Sequence, residues 1–463
     1  MNQTITFFGG LNTIGGTNVM VGCGDTAIVF DLGRMPTGFF FWHTDGIAPM
    51  GDKALRRYLL GRDAIPLPHL YHPRFLGDLT VDEIASVWDG HPFPYYPNLC
   101  AFVSHIHRDH MDFLPFISDR VPVYMHRDAL SVYRGAVAGS LFPSTQAPLE
   151  GLRDSQPVTL ADGFSIEVME LDHDTPGSSG LLIRTPDSVI FYTGDFRFHG
   201  RHADRVHNKM MALAKESVSL LLTEGTTLSY DSVGKAIRPT HETEVTLHFD
   251  QMLSSANGLA YLNIMPHNLE RLAELIMVTK KHGRKLVLNR ALSLLWSTAI
   301  TKGISALAGH PAVNDAETVV VLDDEAKKVL INLPYGKVLL RDIVENKKGY
   351  AVFLPQEQLS LMIELERLGE QVHSVYFHAD GFPLGDDDTT LRYWLRELEV
   401  SYHYHQTGGH ATSDMLTQFV QAVQPRAVVP LHSANPSLLN SGSIPKILPY
   451  YGQTFDLTSF KHA

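Results

Sequence analysis

Cysteine is nearly absent: Cys23 and Cys100 are the only two among 463 residues. That excludes a disulfide framework and a zinc site built on thiolates, and leaves each thiol as a small apolar filler of the interior. Long apolar runs are missing too. None approaches the roughly 18–20 residues of a membrane span, and the start MNQTITFFGG has no basic stretch ahead of an apolar one. A cytoplasmic protein without membrane association is expected. Basic residues are outnumbered, 38 Lys and Arg against 50 Asp and Glu, for a net charge of −12. Such a balance argues against a protein that coats DNA through many phosphate contacts. It leaves room for a nuclease, because bound metal ions add positive charge that the formal count omits.

Histidine is what the chain has in excess, 24 residues. Six positions of VSHIHRDHMDFL carry His105, His107, Asp109 and His110. In an extended turn alternate side chains project together, so His105 and His107 can meet one ion while Asp109 and His110, past the bend, face a second. Imidazole and carboxylate suit zinc, with manganese as the alternative where carboxylate and water dominate. The competing reading of this stretch is a solvated polar loop.

At this length two domains are the default. QTITFFGG, GTNVMVGCGD and TAIVFDLG read as a β-meander, LCAFVSH as a strand entering the histidine loop, and DRVPVYMHRDALSVY as a strand followed by a helix. GFSIEVMELDHD, GLLIRTPDSVIFYTGD and SVSLLLTEGT are apolar strands ending in polar or acidic residues, which is how a scaffold presents a site. Near Glu242 the pattern shifts. NLERLAELIMVTKKHGRKLVLN predicts a helix, a stop at Gly283 and a strand, and TSDMLTQFVQAVQPRAVVPLH predicts a helix and a strand returning to the first domain. The expected division is 1–230, with an insertion near the site at about 35–98, then 231–371 as an inserted α/β domain, then 372–463 as the return.

SHIHRDHMD resembles the signature loop of the metallo-β-lactamase fold, an αββα sandwich, and three more segments match in order: LDHDTPGSSG, VIFYTGDFRF and VVPLHS. The resemblance implies two zinc ions, one on His105, His107 and His173, the other on Asp109, His110 and His432, bridged by Asp195. The long interval between Asp195 and His432, with LLLTEGTT and QTGGHATSD, resembles the β-CASP nucleases and the bacterial ribonuclease J group in particular. It implies an α/β fold with an inserted β-CASP domain, and Glu224, His410 and His432 as the family's motif A, B and C residues. A histidine in the last position points to RNA. The activity so implied is hydrolysis of single-stranded RNA by a two-zinc-activated water, with Asp109, Glu224 and His410 as the catalytic residues. In that scheme Asp109 and Asp195 help hold the metal pair, His410 protonates the leaving 3′ oxygen or neutralises charge on the phosphate, and Glu224 orients His410.

The same likeness places substrate contacts on Thr407, Gly408, Gly409 and His410. Gly408 stands where the family carries a phosphate-binding serine, so Thr407 is the expected substitute hydroxyl. Asp31, in VFDLG, is expected to partner a metal-bound histidine rather than to ligate. Asp386 to Asp388 read as a solvated helix start, and His403 and His405 as alternately exposed strand residues. Stacking of bases on Tyr230 or Phe382 is the expected source of single-strand preference. The alternatives are a nuclease for DNA or a smaller phosphodiester, and a non-enzymatic relative that binds nucleic acid or protein. The last conflicts with the presence of all seven expected ligands.

Overall fold

The computed structural model describes residues 2–35, 51, 54–88, 90, 93–231, 240–323, 333–381, 383–385 and 388–460, the side chains of residues 230 and 231 excepted. Twenty strands, numbered here in chain order, form three sheets among these residues. The first sheet runs β20 (Thr454–Asp456), β1 (Gln3–Phe7), β2 (Val19–Cys23), β3 (Thr26–Phe30), β4 (Asn98–Phe102), β5 (Val123–His126) and β6 (Leu149–Leu152). Its first three chain segments are the antiparallel meander that the glycine-bounded runs predict, and β3 to β6 continue in parallel. The second sheet runs β19 (Ala427–Leu431), β11 (Leu220–Glu224), β10 (Val189–Tyr192), β9 (Ser179–Arg184), β8 (Ser165–Glu170) and β7 (Pro157–Thr159).

Period-two alternation decides which way each strand of the second sheet faces. Leu181, Ile183, Ile190, Tyr192, Leu220, Leu222 and Val429 join Ile5, Phe7, Val21, Ile28, Phe30 and Phe102 of the first sheet in one buried cluster. Leu182, Phe191, Leu221 and Val428, one residue out of step, face the opposite way and meet helices Ala203–Leu213 and Ser413–Val423 through Val206, Leu416 and Phe419. Two sheets therefore pack face to face with helices outside them. Each such buried side chain is worth about 1.5–3 kcal/mol, so a one-residue slip would expose a whole face.

On the outer face of the first sheet, Leu55, Tyr58, Tyr71 and Trp88 pack in the same cluster as Ala101, Val103 and Met111. The segment expected to be an insertion is thus, where described, the outer helical layer of that sheet. It reaches the histidine loop as well, because Asp112 accepts a 2.7 Å hydrogen bond from Arg34, whose guanidinium also meets the Tyr58 hydroxyl.

The third sheet is entirely parallel: β15 (Gly336–Val338), β14 (Val319–Leu322), β13 (Lys285–Leu288), β16 (Tyr350–Phe353), β12 (Ala260–Asn263), β17 (Val375–His378) and β18 (Ser401–Tyr404). Its strands are buried on both faces, with Leu262, Leu286 and Phe353 on one side and Tyr261, Val287 and Val352 on the other, as parallel sheets require. The helix Leu269–Lys281 and the stop at Gly283, φ +65°, fall where the sequence puts them. Strands β17 and β18 correct the expected end at residue 371: they lie past it, yet pair in register with β12 and each other. The chain leaves β11 of the second sheet, builds the third, and returns as β19, which pairs in parallel with β11 from Leu220↔Ala427 to Glu224↔Leu431. Helix Arg127–Ala138, after β5, packs on helix Arg290–Lys302 of the third unit.

Candidate metal centre

Strand β4 delivers the histidine loop. Its end turns at Ser104, and a short helix, Arg108–Met111, carries Asp109 and His110. Asp31, just past β3, organises this turn from a fully buried position with φ +56°. It accepts from the Ser104 amide at 2.7 Å, the Ser104 hydroxyl at 2.8 Å and the Tyr192 hydroxyl, and lies 2.7 Å from His110 Nδ1. A carboxylate there keeps the proton on Nδ1 and turns Nε2 inward. The expected role of Asp31, partner rather than ligand, matches this contact. Gly33 is required by close approach: a Cβ would stand 1.7 Å from the Asp109 carbonyl oxygen.

The remaining residues arrive from strand ends. His173 follows β8, Asp195 follows β10, and His432 follows β19 with φ +54°, its amide donating to the Gly10 carbonyl. His105, His107, His173 and Asp195 offer ligand atoms within 4.8 Å of one another, as do Asp109, His110 and His432. Asp195 Oδ2 joins the two groups, 3.7 Å from His105 Nε2, 3.2 Å from His110 Nε2 and 3.6 Å from His432 Nε2. Asp109 Oδ2 lies 3.0 Å from His432 Nε2. The seven residues singled out in the sequence are thus brought into one cluster, in the two sets expected.

This donor set fits divalent cations. Nε2 of His105, His107 and His110 and Oδ1 of Asp195 are buried without a hydrogen-bond partner, a costly state unless an ion belongs there. The charges tell the same story. Burial disfavours the imidazolium of His110, but Asp195, Asp109 and Asp31 outweigh it and hold its pKa well above the ordinary range. His105 is driven well below by burial and by His110 and His107. Burial opposes ionisation of Asp109 and Asp195 as well, yet the surrounding histidines pull both carboxyls down. Buried carboxylates facing imidazoles call for bound positive charge.

One carboxylate was not singled out in the sequence. Asp174, next to His173, places Oδ1 3.1 Å from His107 Nε2 and 3.3 Å from His173 Nε2. Its adjacency to a ligand histidine in LDHDTPG is the signal that marks it.

Beside the metal residues stand Glu224 and His410. Glu224, at the end of β11 and 1% exposed, accepts from the amides of Thr226 and Ala411, both at 3.1 Å, and lies 3.3 Å from His410 Nδ1. It therefore both orients the histidine and pins the loop that carries it. Burial disfavours charged His410, but Glu224 and Asp195 push its pKa up to about 9.

The loop before His410 departs from expectation. Thr407 is buried and donates its hydroxyl to the Thr240 carbonyl, so that hydroxyl is committed to the fold rather than offered to a phosphate. The Gly408 carbonyl accepts from His199 at 2.8 Å, and the Gly409 carbonyl lies 2.6 Å from His173 Nδ1. A Cβ on Gly409 would meet the His173 ring at 2.6 Å, whereas one on Gly408 would meet nothing within 4 Å. Glycine is thus needed at 409 to position His173, and 408 has room for a side chain.

Other expectations resolve differently. In β18 His403 is exposed between half-buried tyrosines, while His405 lies past the strand and stacks on His248 at 3.8 Å. Asp388 precedes helix Thr389–Glu397 and accepts from the Gly385 amide; Asp386 and Asp387 lie outside the described residues. Phe382 and the Tyr230 side chain, expected to stack bases, do as well. Among the described residues, no helix is long and apolar enough to cross a membrane.

A cleft of about 970 Å³ opens from the metal residues toward the third sheet. His107, Arg108 and Asp109 line one wall, and Asn263, His267, His378 and Asp380, at or just past strand ends of the third sheet, line another. His267 packs its ring against His107 at 4.9 Å and Phe142 at 6.1 Å.

No family model matches the chain. It is similar to curated ribonuclease J proteins: that of Pyrococcus abyssi is 23% identical over 370 residues, 76% of this chain and 77% of that protein. The Thermus thermophilus protein is 26% identical over 196 residues, 40% of this chain and 33% of that protein. For Mycoplasma genitalium the figures are 24% over 232 residues, 48% of this chain and 38% of that protein. Two of these three matches thus span only about a third of the relative. A crystal structure of a protein of unknown function from Enterococcus faecalis V583 superposes with a TM-score of 0.75 at 24% identity, covering 98% of this chain and 100% of that one. The two share a fold.

Proposed function

We propose that the chain is a metal-dependent ribonuclease that hydrolyses single-stranded RNA, on a metallo-β-lactamase sandwich with a β-CASP unit inserted between β11 and β19. The carrying observation is the convergence of His105, His107, His173, Asp109, His110, His432 and Asp195, with buried ligand atoms left unpartnered, at the mouth of a cleft. Similarity to ribonuclease J proteins over up to 76% of the chain supports RNA as the substrate. Two divalent ions in these sets, when bound, would make hydroxide available near neutral pH and offset charge on the phosphoryl oxygens.

The chain's own residues do the rest. Asp31 fixes His110 in the tautomer that leaves Nε2 free. As the oxygen of water bonds to phosphorus and the bond to O3′ breaks, His410 gives its proton to that leaving oxygen. Glu224, 3.3 Å from Nδ1, favours the protonated ring that this role needs. Glu224 holds the ring and carries the balancing charge. Phe142, half-buried on the cleft wall, offers a flat surface for an unpaired base.

A second reading is a nuclease for DNA or a smaller phosphodiester, and the cleft's charge favours the latter, which meets fewer of its carboxylates than a long polyanion does. Asp380, Asp388 and Glu357 line it, with Arg108 the one Lys or Arg among the described lining residues. The deciding measurement gives the purified protein zinc or manganese, then labelled single-stranded RNA and matched DNA, with a chelator control. Chelator-sensitive cleavage of RNA is expected. Cleavage of DNA alone would favour the second reading, and no metal-dependent turnover would leave a binding protein.

Asp31→Asn is expected to weaken binding of the ion on His110 by about 10- to 100-fold, as losing a ligand's carboxylate partner does elsewhere. Titrating metal-free protein against a zinc indicator reads this; an unchanged isotherm would show that the Asp31 contact is dispensable.

A further inference from the structure

Apart from the centre just described, a second cluster of ligand-type side chains stands where helix Glu242–Ser255 passes the end of β18. Glu244 and His248 are one turn apart on that helix, and residues four apart share a face. His405, just past β18, meets them. Its ring stacks on that of His248 with centroids 3.8 Å apart, and ligand atoms of all three lie within 4.8 Å of one another. None of the three belongs to the sets of His105 and His110. Stacking accounts for the ring faces but not for the edge of His405, whose Nε2 is buried with no hydrogen-bond partner among the described residues. A buried ring nitrogen in that state is costly unless something binds it. One oxygen of Glu244 accepts from the His241 amide at 3.4 Å, capping the helix, and the other is left over.

We propose that Glu244, His248 and His405 form a separate site for a divalent cation, zinc by the chemistry of its donors. Two imidazoles and a carboxylate are a zinc set, and the fourth position falls to water because His248 is exposed. The same exposure gives the ion a way in. Ligands four apart on a helix converge on one ion, and the third, from a segment remote in sequence, makes that ion a clasp between two elements.

What the clasp joins is the helix and the segment leading to His410. Two ties already run between them. Thr407 donates its hydroxyl to the Thr240 carbonyl just ahead of the helix. Arg197 donates to the Gly408 carbonyl at 3.3 Å and pairs with Glu242, in the first helical turn, at 3.0 Å. The zinc adds a third tie further along the helix, at the point where the segment leaves β18. Loading this site therefore orders the loop that carries His410 without touching the cluster around Asp195.

The test starts with wild-type protein crystallised in micromolar zinc, with anomalous differences measured at the zinc edge. A peak within about 2.0–2.2 Å of ring nitrogens of His248 and His405 and of an oxygen of Glu244 is expected. An empty cluster, or one filled only at millimolar zinc, would overturn the proposal. In solution, His248→Ala, a change at an exposed position that leaves the fold intact, should hold one zinc fewer per chain than wild type after dialysis against buffered micromolar zinc. His405→Gln should lose the same ion from the buried side. A wild-type zinc count in His248→Ala would overturn the site. Zinc should also slow amide exchange across residues 405–410 more in wild type than in His248→Ala; equal slowing would overturn the clasp. None of these readouts is RNA cleavage. A protein that loads zinc here yet leaves RNA intact would sink the proposed activity and not this site, and one that cuts RNA with this cluster empty would do the reverse.

Discussion

Asp195→Ala is expected to remove RNA cleavage altogether, by about 10³-fold or more. The size follows from position: its Oδ2 lies between 3.2 and 3.8 Å from ring nitrogens of His105, His110, His410 and His432, so one carboxylate serves both ligand sets and the acid beside them. Stabilisation of the phosphoryl transition state by bound cations amounts to several kcal/mol, and each 1.36 kcal/mol is about tenfold in rate. Asp195→Asn separates charge from shape: it keeps an oxygen donor and loses the negative charge, and should retain part of the metal. Single-turnover cleavage of a labelled RNA, with metal content measured on the same samples, decides the matter. An alanine variant within tenfold of wild type would sink Asp195 as the bridging residue.

His410→Ala is the second large effect, a fall of about 10²- to 10⁴-fold in kcat, the range for losing a general acid. Metal bound by the two sets of His105 and His110 should change little, because His410 lies outside both, meeting them only through Asp195 at 3.8 Å. Glu224→Gln should lower kcat as well, since the carboxylate 3.3 Å from Nδ1 sustains the charged ring. A leaving group that needs no protonation provides the control: a substrate with a nitrophenolate in place of O3′ should recover most of the loss in His410→Ala. If the variant is equally slow on both substrates, His410 acts on the phosphate rather than on the departing oxygen.

The candidate metal residues could be picked out because they cluster locally, His105 to His110, or follow apolar strands, as His173, Asp195 and His432 do. The strands announced themselves by alternation, as Leu220 to Leu222 show by facing two different cores. Asp174 was missed because adjacency to His173 is a weak signal by itself; its partner, His107 Nε2 at 3.1 Å, is remote in the sequence. Thr407 was read as a free hydroxyl because the carbonyl that claims it, at Thr240, is remote in sequence. The end of the inserted unit was misplaced because β17 and β18 differ from returning strands only in their pairing, and pairing is not local.

The crossing from β11 to β19 also orders events in time. Glu224 and His432 become neighbours only after the roughly two hundred residues between them have been made, and β20 closes on β1 later still. A ribosome-bound chain that has not reached His432 lacks part of one ligand set. Its histidine loop is complete long before, yet the candidate metal centre is assembled only once His432 has been made. For an enzyme whose proposed substrate is RNA, that leaves the messenger being read safe from its own product until His432 has emerged.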